Sequence, residues 1–161
     1  MRPYLASLKG DSNTMKSHPI ILKPDQRAPA LNVIGVRITV LASNAATQSH
    51  GITLQQGDEG AGPPPHSHEW DESFYVLKGE VKFLCDGQTA VCEAGTLVHV
   101  PGKTVHAFNF GHGGGLMLEI AGAGAQAAPF FTAIDEEVPA GQPDIPKLLE
   151  LAKRHGVAFA I

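Results

Sequence analysis

From Ile20 onward the chain runs in short stretches in which apolar, β-branched and aromatic residues alternate with polar ones, broken by Gly, Pro, Asn and Asp. Alternation with a period of two marks a strand with one buried face, and many such stretches at close intervals mark an antiparallel barrel or sandwich. The pattern predicts strands over 20–22, 32–41, 51–56, 72–77, 80–85, 89–93, 97–100, 106–110 and 116–120. Lys78-Gly79 and Asp86-Gly87 are turn dipeptides between alternating runs, and Pro101-Gly102-Lys103 is a loop between two more. The expected class is all-β.

The period changes after Ile120. AGAGAQAA is a small-residue connector, and Phe130-Phe131-Thr132 predicts one further strand or an apolar patch on the barrel. Asp144 is an N-cap, Pro146 is tolerated in a first turn, and Leu148, Leu149, Leu151 and Ala152 make one apolar helix face. Lys153, Arg154 and His155 suit the negative end of the helix dipole, and Gly156 ends the helix, which is expected to brace or cover the barrel. The chain thus divides into a loosely held extension at 1–17, a barrel at 18–122, and a segment at 123–161 of connector, final strand and C-terminal helix. Met15 offers an alternative natural start, which would leave Met1–Thr14 outside the protein.

Composition narrows the partners. The 161 residues suit one compact domain, 43% hydrophobic and 17% charged, with a net charge of -4 that offers no electrostatic footprint for nucleic acid or anionic lipid. The first residues carry no apolar stretch of signal-peptide length, and no later run approaches the roughly 20 apolar residues of a membrane span, so a cytoplasmic protein is expected. A two-residue turn at Asp86-Gly87 places Cys85 opposite Gln88 and Cys92 opposite Val81, which predicts two unbonded thiols.

His66, His68 and Glu72 share one parity. On extended chain equal parity means one face, so two imidazoles and a carboxylate converge if no bulge intervenes. His106 opens a later strand after the Pro101-Gly102 loop and can add a third imidazole from a neighbouring strand. A lone histidine is ordinarily a hydrogen-bonded core or surface residue; a His-x-His pair with a downstream Glu and a distant His is a donor set for one divalent metal ion. His18, His50, His99, His112 and His155 have no such company, and Asp71, of opposite parity to Glu72, is expected to be a solvated charge.

These residues fit both motifs of the cupin family. Gly60, His66, His68, Glu72 and Gly79 fill every position of G-x5-H-x-H-x3-E-x6-G. Gly95, Pro101 and His106 match G-x5-P-x-G-x2-H-x3-N, with Lys103 where the family usually has its second glycine and Phe110 where it has asparagine. The resemblance implies a jelly-roll-like β-barrel with a short C-terminal helix, one metal held by His66, His68, Glu72 and His106, and a homodimer formed through sheet edges, with the N-terminal strands available for it.

A broader resemblance, carried by GPPPHSH, DESFYVLKGEVKF, PGKTVHAF and VPAGQPDIPKLLELAKRHGVAF, is to single-domain relatives of quercetin (flavonol) dioxygenase. It implies a dioxygenase acting on a small aromatic or enol-type substrate, with Glu72 as metal ligand and possible base, and iron, manganese, cobalt, nickel, copper or zinc as the metal. Phe74, Val76 and Phe108 share parity with the ligands and are expected to form an apolar substrate wall, although inward aromatics of a small barrel ordinarily serve as plain core. The same ligand set also serves isomerases, lyases and decarboxylases, and a non-catalytic small-molecule-binding barrel is a third class.

Overall fold

The structure is a computed structural model that describes residues 17–160; the expected extension lies, apart from Ser17, outside the described residues. Among the described residues nine strands form one antiparallel sheet that curls on itself. They are β1 (Leu31–Val33), β2 (Val36–Ala42), β3 (Gly51–Gly57), β4 (His66–His68), β5 (Glu72–Cys85), β6 (Gln88–Glu93), β7 (Leu97–Val100), β8 (His106–Ala121) and β9 (Val157–Phe159), with helices α1 (Asn44–Thr47), α2 (Ala127–Glu137) and α3 (Ile145–Arg154).

A long antiparallel ribbon of β5 and β8 organises the sheet, in register from Glu72↔Ala121 to Cys85↔His106. The ribbon bends midway, where the register slips between Val76 and Lys78 and again between Gly79 and Val81. Each half then belongs to a different face of the barrel. The 72–76 half of β5 pairs with β7 and the 115–121 half of β8 with β3, while the 81–85 half of β5 pairs with β6 and His106 of β8 pairs with β4. The apolar side chains meet between the faces, where Phe74 lies 5.3 Å from Phe83 and 5.8 Å from Phe108, centroid to centroid. Burying one such ring contributes about 1.5–3 kcal/mol.

The bend corrects two expectations. Lys78-Gly79 is no turn between strands but the kink inside β5, and 106–110 and 116–120 are two ends of one strand. Gly79 sits at φ +75°, and a Cβ there would lie 2.2 Å from the Gly114 carbonyl oxygen, so only glycine lets the ribbon fold this tightly. Similarly, the run at 32–41 is split into β1 and β2 by a tight Ile34-Gly35 turn. Residues 20–22 form no strand: Ile21 is 86% exposed, and no described strand pairs with it.

Phe130-Phe131-Thr132 belongs to α2, not to a strand. Ala127, Phe130 and Ile134 are buried in a second apolar cluster with Leu148 and Leu151 of α3, so helical spacing of three and four residues overrides the local β-propensity of the aromatic pair. Helix α3 begins as expected, Asp144 Oδ1 accepting from Lys147 N–H at 3.0 Å, but Leu149 points outward from its apolar face. Cys85 faces Gln88 and Cys92 faces Val81, and both thiols are free. Among the described residues no helix is long and apolar enough to cross a membrane.

Candidate metal centre

The site forms where β4, β5 and β8 meet. His66 and His68 lie on β4, Glu72 opens β5, and His106 opens β8 directly opposite His66 in the ladder. One potential ligand atom from each of His66, His68 and His106 lies within 4.8 Å of the other two, a set that can hold a metal ion. Glu72 Oε2 lies 3.2 Å from both His68 Nε2 and His106 Nε2.

Backbone carbonyls fix the rings. Nδ1 of His66 lies 2.9 Å from Pro64 O, Nδ1 of His68 lies 2.9 Å from Trp70 O, and Nδ1 of His106 lies 2.8 Å from Thr104 O. A carbonyl oxygen only accepts, so each Nδ1 carries the proton and donates it. A ring that is neutral with its proton at Nδ1 presents an Nε2 lone pair, the tautomer suited to ligation and held by the outer hydrogen bond that orients metal-binding histidines. The Nε2 of His68 is buried without a hydrogen-bond partner, its approach to Glu72 being close but out of line. Lone pairs on His106 Nε2 and Glu72 Oε2 face one another at 3.2 Å and require a proton or a cation between them. An orphaned buried nitrogen and facing lone pairs are what a metal-binding donor set shows.

The charges agree. Burial, with His106 next, pushes the His66 imidazolium down to about 4, so the ring is neutral at ordinary pH. Burial alone would raise the Glu72 carboxyl, but His106 and then His68 outweigh it and hold the group below the usual carboxylate range. For His106, burial is the largest influence and lowers it, but the hydrogen bond to Glu72, the bond to the Thr104 carbonyl and the Glu72 charge together outweigh burial and raise it. Trp70 Nε1–H donates to Glu72 Oε1 at 3.2 Å, occupying the other carboxylate oxygen.

The histidines open onto a cavity of about 100 Å³. Phe74 and Phe108 line it as expected for an apolar wall, but Val76, fully buried, sits deeper in the core and is absent from the lining. Much of the remaining lining comes from segments that parity arguments left out: Val33 and Ile34 at the β1–β2 turn, Phe130, Phe131 and Ile134 on α2, and Phe159 on β9.

A second buried carboxyl also lines this cavity. Glu119 on β8 is 1% exposed, and its Oε2 accepts from Thr53 Oγ1 and from Gln55 Nε2. Burial, followed by the nearby Glu72 charge, lifts its carboxyl well above the ordinary range. The sequence did carry a signal for it: Glu119 occupies the inward parity of β8 between Met117 and Ala121, both buried, and Thr53 and Gln55 likewise replace apolar residues on the inward face of β3. Asp71 is exposed, yet more than a solvated charge: its Oδ1 accepts from Gly102 N–H at 2.7 Å and ties the second motif's loop to the first.

The comparisons with known proteins agree with this architecture. Over 71 residues the chain is 32% identical to quercetin 2,3-dioxygenase of Bacillus subtilis (strain 168), a match that covers 43% of this chain and 21% of that protein, so the chain spans about a fifth of its relative's length. The fold is similar to the structure of KdgF from Halomonas sp. (TM-score 0.62, 18% identity, covering 69% of this chain and 99% of that one). It is equally similar to an RmlC-like cupin from Shewanella frigidimarina (TM-score 0.62, 20% identity, covering 71% and 99%). The cupin-domain family model matches residues 53–120, the span from β3 through the ribbon that carries both histidine motifs.

Proposed function

We propose that His66, His68, Glu72 and His106 bind one divalent transition metal and that the protein is a metal-dependent dioxygenase for a small aromatic or enol-type substrate. One observation carries this reading: three imidazoles, each with its Nδ1 bonded to a backbone carbonyl, bring one potential ligand atom apiece within 4.8 Å of one another on the wall of an apolar cavity, with Glu72 Oε2 3.2 Å from two of them. The partial identity to a quercetin 2,3-dioxygenase supports the choice of reaction class.

Such a metal, when bound, supplies Lewis acidity toward an enol-type oxygen and redox capacity toward dioxygen. The chain's own residues do the rest. Glu72 is positioned to accept the substrate hydroxyl proton, with Trp70 holding its other oxygen in place. Phe74, Phe108 and Phe130 give a flat substrate an apolar bed and keep water from the reacting atoms. The reading includes the homodimer that the resemblance implies; a solution mass equal to one chain contradicts that part.

The test is oxygen consumption with quercetin, recorded on protein loaded in turn with iron, manganese, cobalt, nickel, copper or zinc. Flavonol-dependent uptake with any of them supports the dioxygenase. Bound metal without uptake in every case removes quercetin as the substrate and leaves another substrate or an oxygen-independent, metal-assisted reaction.

A further inference from the structure

The strand that carries two of the candidate ligands is scarcely held by the barrel itself. β4 is three residues long, follows Pro63–Pro65, and shares a single ladder position with β8, His66 opposite His106. One further bond from the barrel reaches it, Lys103 N–H to His68 O at 2.6 Å. Its principal partner is β9, in register over His66↔Phe159, Ser67↔Ala158 and His68↔Val157, with Ala160 N–H donating to Pro65 O at 2.9 Å. The Phe159 ring lies 6.2 Å from the His66 ring, and Val157 is buried behind His68's strand.

We propose that β9 is the positioning element of the metal centre: by completing the ladder of β4 it sets the backbone from which His66 and His68 face His106. The proposal rests on the metal reading of the site given above. Rotation or slippage of a three-residue strand by one position would turn both imidazoles to the opposite face, and only the β9 ladder opposes it along the full length of β4. Since β9 follows α3, and α3 packs with α2 over the cavity, one C-terminal segment both closes the cavity and fixes the ligand strand. The second cupin motif therefore does not finish the site; a segment far outside it does.

Two variants test this. Alternation in the antiparallel ladder makes Ala158 a hydrogen-bonded partner of Ser67, because Ala160 bonds to Pro65 two residues on. Ala158→Pro removes that N–H at an exposed position and leaves Val157 and Phe159 in place. Deletion of 157–161 removes the whole strand. Binding of Co²⁺ to the metal-free full chain and to each variant is measured by competition with a chromophoric chelator, alongside the visible spectrum of the bound ion and a thermal unfolding curve. We expect the full chain to bind, Ala158→Val to match it, and Ala158→Pro to bind at least about tenfold more weakly with an altered Co²⁺ spectrum. The deletion is expected to lose more, and Ala158→Pro decides alone if the shortened chain does not fold. Unchanged affinity and spectrum in Ala158→Pro overturn the role of β9 while leaving the metal site standing. A full chain that takes up no Co²⁺ overturns both.

Discussion

The Trp70 indole lies flat on the His68 imidazole, ring centroids 4.1 Å apart and planes within 2°, while its Nε1–H reaches Glu72 Oε1. One side chain thus braces two of the four candidate ligands. Trp70→Phe keeps a stacking ring but loses the hydrogen bond, so metal affinity is expected to fall about 10- to 100-fold while the fold persists. Trp70→Ala also opens a cavity and is expected to cost about 3–5 kcal/mol. Trp70 is the one tryptophan in the chain, so its emission reports on the site alone, and titration with Cu²⁺ or Co²⁺ is expected to quench it. Emission unchanged on saturation with either ion contradicts the placement.

Lys103 stands where the cupin motif usually has glycine, and it holds the left-handed backbone that glycine would hold, φ +71°. Lys103→Gly is expected to leave stability unchanged or raise it by up to about 1 kcal/mol, whereas Lys103→Val is expected to cost about 1–3 kcal/mol. Its ion pair with Glu69 is well exposed on both sides and adds little. Gly102→Ala is the harsher change, since its Cβ would lie 2.2 Å from the Glu69 carbonyl oxygen. Thermal unfolding ranks the three.

Protons compete for the site. In metal-free protein His66 is neutral when folded down to about 4, whereas the unfolded ring takes its proton near 6.5. Between these values the unfolded chain binds more protons, so stability rises with pH and is lost as pH falls through the window, by at most about 3 kcal/mol. Metal affinity is expected to weaken over the same interval, because a protonated imidazole is no ligand. Denaturant unfolding of the apo-protein and of His66→Gln at several pH values checks the sign: the difference between them should shrink toward low pH.

Glu119 gives the opposite slope. Its carboxyl is raised in the folded chain, so the folded state keeps a proton that the unfolded chain has released, and stability falls as pH climbs above the ordinary carboxylate range. Glu119→Gln preserves the bonds from Thr53 and Gln55 only in part but removes that dependence. Relative to the parent, this variant is expected to gain stability as pH rises above the ordinary carboxylate range. A difference that stays constant as pH rises above the carboxylate range contradicts a protonated Glu119.

What the sequence disclosed, and what it withheld, follows from how far each signal reaches. Most of the strand pattern, the α3 cap at Asp144 and the Cys85–Gln88 register are written in neighbouring residues, and these are found, whereas the expected strand at 20–22 is not. Parity brought His66, His68 and Glu72 to one face because β4 and the start of β5 are both extended, whereas the same rule placed Val76 on the cavity wall without saying how deep along β5 the cavity reaches. The bend at Gly79, the helical state of Phe130 and Phe131, and the pairing of β4 with β9 all depend on partners distant in the chain, and local propensity does not report them. Glu119 was legible as a charge at an inward position, a departure that points to a site more often than to a core.

The most direct test of the metal centre is elemental analysis of protein purified without chelator, run in parallel on His66→Ala and His106→Ala. Close to one divalent transition metal ion per chain in the parent, and a clear loss in both variants, is the expected result. No metal in the parent, or an unchanged content in both variants, contradicts the centre built on His66, His68, Glu72 and His106.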